Sequence, residues 1–333
     1  MIRSKLKKLS FTLAFALILG TSGVAIQHPV TVFAGTNSQA YTLSVSDILK
    51  YQNIDGGWSK GYDEADGEWK NSTIDNGLTH SEIRRLASEY TKTKNNAYSI
   101  AAIRGINCLL NMQYKTNGGW PQVANGTGYH THITYNDDAM ISVMILLDEV
   151  ANKKGDFSFV DSTLAAKCKT AVDNGVNCLL KTQIVDNGKL TIWGQQHDEN
   201  TLKPTGARAY EIPSLCSKES VGIVKFLKTR PTTTQIATSI KAAEDWFKTT
   251  KITGIEVVKV EGKDKNGKKV TIDAYIKSNP KASPIWARFY ELGTNKPLFS
   301  NRKGDKLYEL KAVEQERRAG YSWYGSGPSE LVK

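Results

Sequence analysis

The chain has 333 residues, 40% of them hydrophobic, with 44 Lys and Arg against 33 Asp and Glu for a net charge of +11. That length allows one large core or two smaller ones, and the modest basic excess favours an anionic partner. The chain carries no recognisable nucleic-acid motif, so an anionic polymer of another kind fits better.

The N-terminus sets Arg3, Lys5, Lys7 and Lys8 before an apolar run from Leu9 to Gly20, and the small residue Ala34 stands before Gly35. This is the pattern of a secretory signal over residues 1–34, cut after Ala34. The run is shorter than the about 20 residues needed to span a bilayer. The mature chain, residues 35–333, then reads as a single secreted domain with no membrane anchor, which points to polysaccharide or wall polymer outside the cell.

Residues 35–44 read as a flexible start. A first helix is predicted after Ser46 as cap, with Asp47 in its first turn and Ile48, Leu49 and Tyr51 on the apolar side. Further helices are predicted from Thr79 and over 97–113, 137–153, 162–183, 218–228 and 234–248, where apolar residues recur with a 3.6 period. Between Gly254 and Ile276, two alternating β-branched runs flank Asp264-Lys-Asn-Gly267, the signature of an inserted β-hairpin.

Three segments repeat a theme. Gln52-Asn-Ile-Asp-Gly-Gly-Trp58, Gln113-Tyr-Lys-Thr-Asn-Gly-Gly-Trp120 and the stretch from Gln183 to Trp193-Gly194 each follow an apolar helical run. Gly105-Ile-Asn-Cys-Leu-Leu and Gly175-Val-Asn-Cys-Leu-Leu are close copies. Such self-similarity predicts helical hairpins arranged in series. An indole on a glycine-rich turn suits a sugar face, which makes Trp120 a candidate substrate contact. A tryptophan that plugs the layer between hairpins would look the same.

The chain has four cysteines. Cys108 and Cys178 occupy equivalent helical places and read as buried free thiols. Cys168 and Cys178 lie in one predicted helix, about 15 Å apart, too far for a disulfide. His130-Thr-His132 lacks partner ligands nearby in sequence, so zinc is not expected.

Long loops over 58–78, 118–136 and 186–217 would meet at one end of stacked hairpins. They carry Asp75-Asn76, Asn136-Asp137-Asp138 and Arg208. Oxygen ligands converging from separate loops suit a hard cation such as Ca²⁺. Nearer the C-terminus, Arg288 and Arg302 lie among aromatic residues, a combination that suits sugars bearing carboxylates. Arg317 and Arg318 have Glu314 and Glu316 close in sequence as ion-pair partners.

Taken together, Asp75-Asn76-Gly77, Asn117-Gly-Gly-Trp-Pro-Gln122, Ile133-Thr-Tyr-Asn-Asp-Asp-Ala-Met140, Ala207-Arg-Ala-Tyr-Glu211 with Pro213-Ser214, Trp286-Ala-Arg-Phe-Tyr290 and Arg317-Arg-Ala-Gly-Tyr321 resemble the family-ten pectate lyases. The likeness runs from about Val45 to Gly325. It implies a mainly α fold, an (α/α) barrel or toroid, and β-elimination on polygalacturonate by a calcium-dependent monomer. It further implies Arg208 as the base, Asp75 and Asp137 or its neighbour Asp138 on Ca²⁺, and Asn76, Tyr210, Trp120, Arg288 and Arg302 on substrate. Where that pattern has Arg-Asp-Gly, this chain has Arg302-Lys303-Gly304. Two other readings are a secreted module that binds anionic wall polysaccharide without cleaving it, and an α/α-barrel terpenoid cyclase, whose repeat motif Gln52-x-x-x-Gly-Gly-Trp58 resembles.

Overall fold

The computed structural model describes residues 43–332. The predicted secretory signal and most of the predicted flexible start lie outside the described residues. Helix α1 (Val45–Lys50) is capped by Ser44, whose hydroxyl accepts the Asp47 N–H at 3.1 Å. The cap is therefore two residues earlier than Ser46, because Ser44 keeps the extended backbone that turns its oxygen onto the free N–H groups.

Six longer helices follow: α2 (His80–Thr93), α3 (Asn96–Met112), α4 (Ala139–Ala151), α5 (Ser162–Thr182), α6 (Ser217–Lys228) and α7 (Thr234–Thr250). Asn95, Asp161 and Thr233 cap α3, α5 and α7 through side-chain oxygens. Consecutive helices pack as pairs, α2 on α3, α4 on α5 and α6 on α7. Across the pairs α2 meets α4 and α4 meets α6, while α3 meets α5 and α5 meets α7. This is the predicted series of hairpins, in two rows. Helix α4 is apolar nearly all round, as a helix enclosed by neighbours must be.

The repeats join one hairpin to the next. The Gln52 amide donates to Gly56 O at 2.7 Å and to Ala101 O in α3 at 2.8 Å. Gln113 does the same to Gly118 O and Ala171 O in α5, and Gln183 to Thr191 O and Ser239 O in α7. Each glutamine thus satisfies carbonyls of its own turn and of the next helix in its row. The indole N–H groups follow suit: Trp58 donates to Ile48 O, Trp120 to Leu109 O and Trp193 to Leu179 O. A fourth copy, invisible as a repeat in the sequence, is Trp286 donating to Phe247 O. Trp58, Trp120 and Trp193 have no exposed surface. This corrects the expectation for Trp120, which plugs the seam between hairpins and presents no face to a sugar.

The remaining chain forms small sheets. Residues 133–134, 196–197 and 204–205 make one of three strands, and 306–307, 297–300, 289–290 and 215–216 one of four. Two-residue strands have no periodicity to read, so the sequence did not disclose them. The inserted hairpin is present as Ile255–Lys263 paired with Lys269–Ser278, with a register irregularity between Val260 and Glu261. Arg318 in α8 (Gln315–Gly320) holds it by donating to both Asp273 carboxylate oxygens, at 2.8 and 2.9 Å. Cys108, Cys168, Cys178 and Cys216 are all buried and free, which for Cys108 and Cys178 is the buried thiol expected. Among the described residues, no helix is long and apolar enough to cross a membrane.

Candidate active site

Equivalent turns precede α2 and α4. Asp75–Gly77 leads towards α2 and Asn136–Asp138 into α4, and both turns hold non-glycine residues in left-handed backbone, Asn76 at φ 50° and Asp137 and Asp138 at 51° and 58°. Asn and Asp tolerate that region best, and such residues gather where the fold aims side chains at a site. A cleft opens here, with Asp75, Asn76, Asn136, Asp137, Arg208 and Glu211 on its wall. The three predicted loops therefore do meet.

Arg208 reaches Glu211 through Nε at 2.8 Å and Nη2 at 2.5 Å. Glu211 is buried and also accepts from the Gln195 amide and the Tyr321 hydroxyl, each at 3.0 Å. Burial pulls the guanidinium pKa down, but the Glu211 hydrogen bonds and charge push harder and hold it above its ordinary value. Glu211 responds in the opposite sense: burial pushes its carboxyl up, Arg208 pulls it further down, and it rests below the usual range.

Asp75 is buried, with Oδ2 2.5 Å from Lys60 Nζ and Oδ1 accepting the Gln122 amide at 2.9 Å. Asp137 has Oδ1 2.5 Å from Lys218 Nζ and Oδ2 3.2 Å from the Asn136 amide. Burial raises the Asp137 pKa, yet Lys218 outweighs it and the group stays below the usual carboxylate range. Asn136 Oδ1 accepts from Gln195 at 2.5 Å and from Arg288 Nη2 at 3.1 Å.

Four of the expected residues are not on that wall. Asp138 turns away into the seam between α4 and α6, where its Oδ1 is the first atom a Cβ on Gly222 would meet, at 2.2 Å. Burial and the nearby Glu219 push its carboxyl up to about 7. Arg288 is 5% exposed and bonds Glu219 Oε1 at 2.6 Å, which commits it to bracing Asn136 from behind. Tyr210 is buried, with the Arg208 and Arg317 guanidinium carbons 4.9 and 4.6 Å from its ring centroid. Arg302 is exposed and pairs with Glu316 Oε1 at 2.5 Å. Its turn abuts the Arg208 segment, since a Cβ on Gly304 would lie 3.2 Å from Ala209 O. Arg317 also pairs with Glu316, whereas Arg318 reaches across to Asp273 rather than to an acid of its own segment.

His132 has no partner ligand near it in sequence, but in space it has acidic neighbours. Its Nδ1 lies 3.0 Å from Glu199 Oε2, and His132, Asp198 and Glu199 can bring one ligand atom each within 4.8 Å of one another. Those partners come from far along the chain, where sequence proximity cannot show them.

Lys60, Gln122 and Gln195 also line the cleft and were missed. A signal for them exists. Each stands two residues after a repeat tryptophan, Trp58, Trp120 and Trp193, and Arg288 stands in the same relation to Trp286. Each also reaches the acidic turns: Lys60 and Gln122 bond Asp75, while Gln195 and Arg288 bond Asn136.

The donor set suits a hard cation. Asp75 and Asp137 supply carboxylates, and the buried amide oxygens of Gln122, Gln195 and Gln196, all on residues of the cleft wall, have no hydrogen-bond partner. The wall is charged and amide-bearing, which does not suit a greasy polyene and removes the cyclase reading.

A family model described as pectic acid lyase matches residues 44–332. Among solved structures, a family 10 polysaccharide lyase from Cellvibrio cellulosa is similar, with 35% sequence identity and a TM-score of 0.76, over 88% of this chain and 91% of that one. A mutant of family 10 polysaccharide lyase from the same organism, in complex with trigalacturonic acid, is similar at 34% identity and a TM-score of 0.76, over 88% of this chain and 92% of that one. No curated protein matches the chain significantly.

Proposed function

The chain belongs to the pectic acid lyase family and is a pectate lyase; on that premise we propose that it cleaves α-1,4-galacturonan by calcium-dependent β-elimination, with Arg208 as the base. The observation that carries this reading is the meeting of Arg208, Asp75 and Asp137, from three distant segments, on one cleft wall.

The hydrogen on C5 of a galacturonate unit is α to its carboxylate. Arg208 removes it, the electron pair forms the C4–C5 double bond, and the C4–O bond breaks to leave a 4,5-unsaturated end. Asp75 and Asp137 would hold Ca²⁺ with amide oxygens of the glutamines beside them, and Asn76 orients the sugar. Bound calcium would neutralise the uronate carboxylate and make C5–H more acidic. Glu211 fixes the Arg208 fork in the cleft, and by stabilising its cationic form it confines the neutral base to alkaline solution.

The two helix rows belong to an (α/α) toroid with the cleft on its loop-bearing face, and the chain acts as a secreted monomer after loss of residues 1–34. These points extend the same reading. The decisive experiment follows the ultraviolet absorbance of unsaturated uronide while purified protein acts on polygalacturonate at alkaline pH. A rise that a chelator abolishes and added calcium restores supports the reading. Binding without any rise would instead make the protein a wall-polymer binding module.

A further inference from the structure

Two lysines stand against the carboxylates assigned to calcium. Lys60 Nζ lies 2.5 Å from Asp75 Oδ2 and 4.2 Å from the centroid of the Trp69 ring. Lys218 Nζ lies 2.5 Å from Asp137 Oδ1 and 3.7 Å from Glu219 Oε1. They come from unrelated elements, Lys60 from the turn after Trp58 and Lys218 from the first turn of α6. Two separate segments thus each deliver an ammonium to one of the two cleft carboxylates.

An oxygen in contact with an ammonium cannot also take a divalent cation at the usual 2.3–2.6 Å without bringing the two positive charges to within about 5 Å. Their repulsion opposes binding of the ion. Both lysine side chains are about one third exposed, at 36% and 34%, so each can swing into the cleft. Neither carboxylate would lose its aim when the lysine leaves, because Gln122 still holds Asp75 and Asn136 still holds Asp137.

We propose that Lys60 and Lys218 are resident counter-ions of Asp75 and Asp137, released when galacturonate carboxylates pair with them, so that calcium and substrate bind as a coupled pair. The inference rests on the calcium reading above. The exchange conserves ion pairs: each lysine trades an aspartate for a uronate as the aspartate takes the metal. Lysine suits this work, since it is a compact charge on a flexible stem rather than a rigid fork. Coupling is reciprocal, so substrate must tighten calcium by the same factor that calcium tightens substrate.

The test is calorimetric titration of CaCl₂ into the full mature chain carrying Arg208→Ala to prevent turnover, with and without trigalacturonate. Without the trimer, Lys60→Met and Lys218→Met should each bind calcium about tenfold tighter than the lysine protein, while Lys60→Arg and Lys218→Arg stay weak. Adding trimer should tighten calcium strongly in the lysine protein and much less in the methionine variants. Lys60→Gln and Lys218→Gln serve as a second pair, with thermal unfolding to verify that each variant is folded. Equal calcium affinity in lysine and methionine proteins, or an equal effect of trimer on both, would overturn the exchange. No calcium uptake by any protein, with trimer present or absent, would overturn the calcium reading beneath it.

Discussion

Gly105 in α3 passes so close beneath Trp58 that a Cβ there would lie 3.0 Å from the indole and 2.6 Å from Ile83 Cγ1. Gly175 in α5 stands in the same relation to Trp120, at 3.2 Å, but its nearest neighbour is the Met144 methyl at 2.7 Å. Ile83 is a stiff β-branched side chain, whereas the end of a methionine can move. Gly105→Ala should therefore destabilise the protein by about 1–3 kcal/mol, an overpacking cost that exceeds the helix-propensity gain of about 1 kcal/mol. Gly175→Ala should be close to neutral. Urea unfolding of both variants checks the order; equal losses would mean that Met144 is as immobile as Ile83.

Arg208→Ala should lower turnover of polygalacturonate by at least about a hundredfold while leaving polymer binding largely intact. Glu211→Gln offers a sharper reading. Removing the carboxylate that holds Arg208 protonated should move the rising limb of the pH–rate profile to lower pH, even if the maximal rate falls. A limb that stays in place would assign the base elsewhere.

Asp137→Ala should raise the calcium needed for half-maximal rate by about tenfold or more. Asp138→Asn should leave that requirement unchanged, because the Asp138 carboxylate packs on Gly222 and not in the cleft. Calcium titrations of initial rate separate the neighbours. If Asp138→Asn shifted the response as far as Asp137→Ala, both acids would have to reach the ion.

His197 sets an acid limit on stability. It is fully buried, its Nδ1–H donates to Leu202 O at 2.8 Å, and its Nε2 accepts the Gly194 N–H at 3.0 Å, which fixes the neutral ring. Burial lowers its pKa to about 4. The unfolded chain therefore binds the extra proton first, so this contribution is complete above pH 6.5 and is lost as pH falls towards 4. The loss runs at about 1.4 kcal/mol per pH unit. Urea unfolding at pH 7, 5.5 and 4.5 should show a steeper decline for the wild type than for His197→Gln. Parallel declines would mean that other groups account for the acid sensitivity.

Much of the fold was legible because periodicity and caps are local properties. The predicted helices lie within a few residues of α2 to α7, and the paired Gly105 and Gly175 segments announced the repeat. The acidic turns were legible too, since Asp75-Asn76 and Asn136-Asp137 stand as polar clusters in the long loops that join one hairpin to the next. Lys60, Lys218 and the metal-like group around His132 were not, because their partners are 15, 81 and 67 residues away.

The sequence by itself determined that hairpins recur, that three helical runs are each followed by a glutamine and an indole, and that arginines and acids accumulate in the joining loops. It could not say which way a short turn faces. Only the packed structure turned the tryptophans inward over Gly105 and Gly175, and thereby sent the residues two places later, Lys60, Gln122 and Gln195, into the cleft. The physical reason is that a turn of a few residues has no period from which an inner face can be read. Its orientation is decided by the cavity that the next helix leaves for the ring.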